Sequence, residues 1–99
     1  MSEGHRLQEP RAARYSIPVP HVYLLRCRDG TLYAGCAKDL AARLRLHESG
    51  RAARYTRGRR PVVLAWTTEV ATWSEALREE RRIKRLRRAD KEALISGRR

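Results

Sequence analysis

Two strand-like runs, HVYLLRC at residues 21–27 and TLYAG at residues 31–35, flank Arg28, Asp29 and Gly30. β-Branched and aromatic residues around an Asp-Gly pair signal a β-hairpin, and the length of its loop decides which side chains share a face. A two-residue Asp29-Gly30 loop pairs Arg28 with Thr31 and sends Tyr23 and Tyr33 to opposite faces. A three-residue loop pairs Cys27 with Thr31, Leu25 with Tyr33 and Tyr23 with Gly35, so the two rings lie on one face. Gly30 suits the longer loop, a type I turn followed by a left-handed residue, because it has no Cβ to clash. The spacing therefore predicts positive φ at Gly30 and a G1 bulge.

A third apolar run, PVVLAWTTEV, completes a small antiparallel sheet. Asp39 can cap a helix from Leu40 to about Glu48, with Gly50 just beyond it. Ser74 can cap a second from Glu75 to about Leu86, and Asp90 to Ile95 gives a short third. The expected fold is α+β, a three-stranded antiparallel sheet flanked by helices in the order ββαβαα. Residues 20–95 form one domain, preceded by a flexible basic arm over residues 1–19 and followed by a basic tail over 96–99. Arg6, Arg11 and Arg14 of the arm are placed to touch a phosphate backbone.

The formal net charge of +12 comes almost wholly from arginine and points to a polyanionic partner, which among soluble proteins usually means nucleic acid. An acidic protein or an anionic membrane surface are the other partners such charge can serve. No apolar run approaches the ~20 residues of a membrane helix, and the first residues lack the apolar region of a signal peptide, so a cytoplasmic protein is expected. Cys27 and Cys36 form neither a CxxC pair nor a zinc-spaced cluster and are expected to be free thiols. The segment SGRAARYTRGRRP packs Arg51, Arg54, Arg57, Arg59 and Arg60 around Tyr55 between flexible glycines. Guanidinium forks match phosphate oxygens and the ring can stack on a base, so the segment reads as a backbone-tracking loop.

Two helices carry polar residues where burial is expected. At 100° per residue with Leu40 at zero, Leu44 falls near about 40°, His47 near about −20° and Arg43 near about −60°. Arg43 and His47 therefore border the buried stripe. In the second helix, with Ala76 at zero, Ile83 lies near about −20° and Glu80 near about 40°. An ionised carboxylate on a core-facing side must be paired or metal-bound. On pattern alone a metal ligand and an ion pair with Lys84, one turn on, stand level. Tyr23 and Tyr33 read either as half-buried sheet aromatics or, near a carboxylate and an arginine, as groups fit for phosphodiester cleavage.

These residues, in this order, resemble the GIY-YIG nuclease superfamily, and closely the small stand-alone bacterial proteins of the YhbQ and YazA type. VYLL at 22–25 stands where GIY is expected and LYAG at 32–35 where YIG is; DLxxRLxxH from Asp39 to His47, YTRGRRP from Tyr55 and ALxxExxIK from Ala76 to Lys84 follow. The first motif has His21 and Val22 before its tyrosine, and the second has Ala34 for isoleucine.

The resemblance implies an α/β sandwich and a divalent-metal-dependent endonuclease site acting on DNA. Carried over, Tyr23, Tyr33, Arg43, His47 and Glu80 are catalytic, with both tyrosine rings expected on the sheet face that also receives Arg43 and Glu80, and Glu80 holding one Mg²⁺ or Mn²⁺. A tyrosine, Tyr23 in preference, or His47 would deprotonate the attacking water, and Arg43 would stabilise charge on phosphorus. Arg54, Tyr55, Thr56, Arg57, Arg59, Arg60 and Lys84 would contact nucleic acid. The substrate is expected to be single-stranded or branched DNA, RNA not being set aside, cut by a monomer that uses no membrane and serves DNA repair or recombination. The rival reading is a non-catalytic basic nucleic-acid-binding module of the same fold.

Overall fold

The computed structural model describes residues 19–97. The basic arm, apart from Val19, and the last two residues of the tail lie outside the described residues. Strands β1 (His21–Cys27), β2 (Leu32–Ala37) and β3 (Val62–Glu69) form one antiparallel sheet in the order β2-β1-β3. Helices α1 (Leu40–Ser49), α2 (Arg54–Arg57), α3 (Trp73–Lys84) and α4 (Arg88–Ser96) complete the domain.

The hairpin takes the three-residue loop. Gly30 N–H donates to Cys27 O at 2.9 Å and Cys27 N–H to Thr31 O at 2.9 Å, while Gly30 has φ +86°. Asp29 Oδ1 locks the turn by accepting from Thr31 N and Thr31 Oγ1 at 3.1 and 2.7 Å. Tyr23 accordingly pairs with Gly35 and Leu25 with Tyr33. Pairing with β3 slips once, between Leu24 and Leu25.

The central strand β1 is buried on both sides, which is why it reads as a nearly unbroken apolar run. Val22 and Leu24, with Ala34 and Cys36 beside them, pack against Ala76 and Ile83 of α3. Tyr23 and Leu25, with Tyr33, pack against Leu40 and Leu44 of α1. The two helices thus lie on opposite faces of the sheet. Helix α4 adds Leu94 and Ile95 to the first cluster. It is fixed by Glu92, whose carboxylate takes both Arg26 guanidinium nitrogens at 2.9 Å.

Helix α1 starts and stops where its sequence signals stand: Asp39 accepts from Ala42 N at 3.1 Å and Gly50 caps the end in the left-handed region. Helix α3 departs from expectation. Its cap is Thr72, accepting from Glu75 N at 3.1 Å, while Glu75 reaches back to Ala71 N at 3.0 Å, so the helix begins two residues early, at Trp73, and ends at Lys84. Both hydroxyls in TWSE could cap, and the returning carboxylate selects the first. The last helix runs longer than expected and takes in Ser96, with Gly97 as its cap.

Candidate active site

Antiparallel pairing puts the Tyr23 ring over Gly35 on the neighbouring strand. A Cβ on residue 35 would stand 2.5 Å from Tyr23 Oη and 2.6 Å from Cζ, so only glycine leaves room for the phenol there. The hydroxyl reaches His47 Nε2 at 2.9 Å, and His47 Nδ1 lies 2.9 Å from Thr56 Oγ1. Thr56 Oγ1 donates its own proton to Ala53 O at 3.2 Å and must therefore accept from Nδ1–H. His47 is thereby the Nδ1–H tautomer, with its Nε2 lone pair taken by the Tyr23 proton. All three side chains are at most 1% exposed.

The electrostatics agree with that assignment. Burial, followed by the positive charge of Arg43, holds His47 below the usual imidazole value, so the ring is neutral at pH 7. Burial, and then the Tyr33 phenol, push Tyr23 well above an ordinary phenol.

The structure separates the two motif tyrosines. Tyr23 is internal, whereas Tyr33 is half-buried, and its hydroxyl has no hydrogen-bond partner among the described residues. The Tyr33 ring meets His47 edge-on at 5.6 Å and stacks on Tyr55 at 5.6 Å and 27°. Tyr23, the preferred base in the sequence reading, is too deeply buried to meet water directly, and both nitrogens of His47 are engaged. Tyr33 offers the accessible hydroxyl.

Arg43 is half-buried and its guanidinium makes no hydrogen bond or ion pair among the described residues. It shares a cleft with Ala37 at the end of β2 and Trp73 at the start of α3, and its charge helps to hold His47 below the usual imidazole value. A half-buried, unpartnered guanidinium is a prepared anion site.

Glu80 requires a correction. It was expected over the sheet face that carries the tyrosines, but α3 packs on the other face, where Glu80 Oε1 accepts from Cys36 Sγ at 3.3 Å. Gly35 and Cys36 are consecutive on the edge strand and face opposite ways, so the Cys36–Glu80 contact lies on the face away from Tyr23. The Glu80 charge still reaches Tyr23. Lys84 Nζ lies 3.2 Å from Glu80 Oε2, so the ion pair weighed from the sequence is formed. Cys36, unmentioned in the sequence reading beyond its free thiol, is therefore part of this edge. Burial and the Glu80 hydrogen bond push its thiol up to about 12, and both cysteines are free.

Among the described residues no group of three or more His, Cys, Asp or Glu could hold a metal by itself. One hard carboxylate at an open edge nonetheless suits Mg²⁺, which is commonly held by one or two carboxylates with water and substrate phosphate filling the other positions.

The basic segment is more ordered than a flexible loop. Residues Arg54–Arg57 make a helical turn, and Thr56, expected to touch nucleic acid, is instead fully buried on His47. Tyr55 is stacked on Tyr33, and the Arg59 guanidinium lies 4.0 Å from its ring centre, so protein and not a base occupies the ring. Arg59 also pairs with Asp29 at 3.1 Å and donates to Tyr55 O. Arg60 donates to the carbonyls of Arg57 and Glu48. Arg54 and Arg57 are exposed with their guanidinium groups uncommitted among the described residues.

A buried tyrosine over a glycine, an arginine one helical turn before a histidine, and a glutamate at the sheet edge define a GIY-YIG domain. The GIY-YIG catalytic domain model matches residues 19–93, and the chain belongs to that family. It is 51% identical over 75 residues to a UPF0213 protein of Halobacterium salinarum, covering 76% of this chain and 97% of the relative. A UPF0213 protein of Oceanobacillus iheyensis is 48% identical over 75 residues, covering 76% of this chain and 87% of the relative. The solution NMR structure of a UPF0213 protein from Bacillus halodurans matches with a TM-score of 0.52 and 43% identity, covering 78% of this chain and 82% of that one. No helix among the described residues is long and apolar enough to cross a membrane.

Proposed function

We propose that the protein is a Mg²⁺- or Mn²⁺-dependent endonuclease that hydrolyses DNA phosphodiester bonds, selecting nucleic-acid structure over base sequence, in DNA repair or recombination. The observation that carries this reading is the pair of unpartnered groups near β2, the Tyr33 hydroxyl and the Arg43 guanidinium, with the Glu80 carboxylate bound to the same strand through Cys36.

In the proposed reaction Tyr33 Oη orients the attacking water and takes its proton as the nucleophile forms. Arg43 donates to the non-bridging oxygens as charge gathers on them, an interaction that strengthens toward the transition state. Glu80 would hold the divalent ion, which supplies Lewis-acid neutralisation of the phosphate. Tyr23, His47 and Thr56 act behind these groups, fixing α1, which carries Arg43, against the central strand β1. Arg54 and Arg57 carry the phosphate backbone toward the site.

Purified protein incubated with single-stranded, duplex and branched DNA plus Mg²⁺ or Mn²⁺, beside Glu80→Ala, tests the proposal. Equal cleavage by the variant would remove Glu80 from the reaction. One observation favours the second reading, a non-catalytic binding module: Lys84 and Cys36 already satisfy the Glu80 carboxylate. Metal-independent binding with no cleavage of any of the three DNA forms would select it.

A further inference from the structure

Helix α3 turns Ala76 and Ile83, both fully buried, toward the sheet. With Ala76 at zero on the helical wheel, Arg81, Arg85, Arg78 and Arg82 fall at about 140°, 180°, 200° and 240°, diametrically away from it. These four exposed arginines line a groove of about 580 Å³ together with Glu79 and Leu86.

Only Arg82 is well compensated, by Glu79 at 2.6 and 3.1 Å; Arg78 reaches Ser74 Oγ at 3.4 Å. Arg81 and Arg85 make no side-chain hydrogen bond or ion pair among the described residues. The stripe also contains two like-charge pairs four residues apart, Arg78 with Arg82 inside α3 and Arg81 with the C-cap Arg85, a spacing that disfavours the helix. A file of guanidinium groups along a groove fits a repeating line of phosphates better than a single anion.

The stripe lies on the side of the sheet opposite the other basic surface. Arg54 and Arg57 sit on the tyrosine face, where their segment is tied to His47 through Thr56 and to Tyr33 through Tyr55. Between the two surfaces runs the β2 edge with Arg43, Glu80 and Tyr33. We propose that the α3 stripe is a second phosphodiester-binding surface, and that the substrate is a branched nucleic acid whose two arms leave the β2 edge on opposite sides of the sheet. The assignment of the stripe needs no chemistry; the two-arm geometry rests on the β2 edge being the proposed nuclease site.

The test is fluorescence anisotropy in EDTA buffer, comparing a linear duplex with a branched DNA that carries the same duplex as one arm. Arg81→Glu with Arg85→Glu should remove the extra affinity for branched DNA, lower its log–log salt slope by about 2, and leave duplex binding as in the unaltered protein. Arg54→Glu with Arg57→Glu should weaken both ligands. The Arg81→Gln, Arg85→Gln protein, checked for an unchanged thermal midpoint, should show the same pattern and separates charge from misfolding. Unaltered branched-DNA binding by both α3 variants, or equal loss for both ligands, would overturn the proposal. So would displacement of branched DNA by polyglutamate as readily as by DNA of equal charge, which would assign the stripe to an acidic protein. Absence of cleavage with Mg²⁺ while α3-dependent branched binding persists would sink the nuclease and leave this surface standing.

Discussion

The Tyr23 hydroxyl donates to His47 Nε2 at 2.9 Å in a fully buried contact between the central strand and α1. The bond fixes a tautomer because Thr56 takes the other ring proton at 2.9 Å. Thr56→Val keeps the shape and deletes that acceptor, leaving a buried N–H unpaired at a cost of about 1–3 kcal/mol. Urea unfolding should show the loss, and Thr56→Ser should recover most of it. A Thr56→Val protein as stable as the parent would mean that Nδ1–H finds another partner.

His47 also predicts a pH dependence. Its folded value is depressed by burial and by Arg43, whereas an unfolded histidine titrates near about 6.5. Below about 6.5 the unfolded chain takes up a proton that the folded ring refuses, so this stability is present above that pH and is lost as pH falls toward the folded value. The urea midpoint should therefore drop between about pH 7.5 and about pH 5, and His47→Gln should lack that part of the drop. Identical pH profiles for the two proteins would place the ring's charge elsewhere.

The tyrosines should be separable by their phenotypes. Tyr33→Phe should abolish cleavage with folding and DNA binding kept, as for a group that touches the reacting atoms. Tyr23→Phe should lower stability, since it strips His47 Nε2 of its donor, and lower activity only in part. The reverse ranking of kcat would return the base to Tyr23.

Arg43→Ala should lose kcat with little change in DNA affinity, because its interaction strengthens toward the transition state. Loss of affinity alone at low salt would make Arg43 a docking residue.

Replacing Arg54 and Arg57 together should reduce the salt slope of duplex binding by about 2, roughly one per phosphate contact. Arg59, held by Asp29 and Tyr55, should matter more for stability than for that slope.

Much of this architecture was legible because it depends on counting. Three residues between the strand runs set the parity that puts Tyr23 over Gly35, and the wheel of α3 set Glu80 beside Ile83. The wheel could not say which face of the sheet α3 covers, since that depends on the crossover from β3 and not on the helix's own period. Glu80 was therefore placed over the tyrosines, whereas it meets Cys36 of β2 on the other face. Thr56 was misread for a related reason. In a segment rich in arginine it resembles one more surface residue, and only the fold brings it to the far side of His47. Ser74 and Thr72 offered the same capping chemistry, and the choice rested on how far Glu75 reaches back.

The turn at residues 28–30 carries a consequence for how such a protein can change. Arg28 is open to replacement there, whereas Asp29 holds Thr31 and Arg59, and Gly30 must keep φ near +86°. What the tip cannot change is its register: were Asp29 and Gly30 to close as a two-residue turn with Arg28 paired to Thr31, β2 would slip by a single position, trade Tyr33 for Leu32 on the α1 face, and pull Gly35 from beneath the phenol, all without altering one catalytic group. Descendants of this chain can therefore drift at Arg28, but a change at the hairpin tip that re-pairs Arg28 with Thr31 is read by the molecule as a frameshift of its active site.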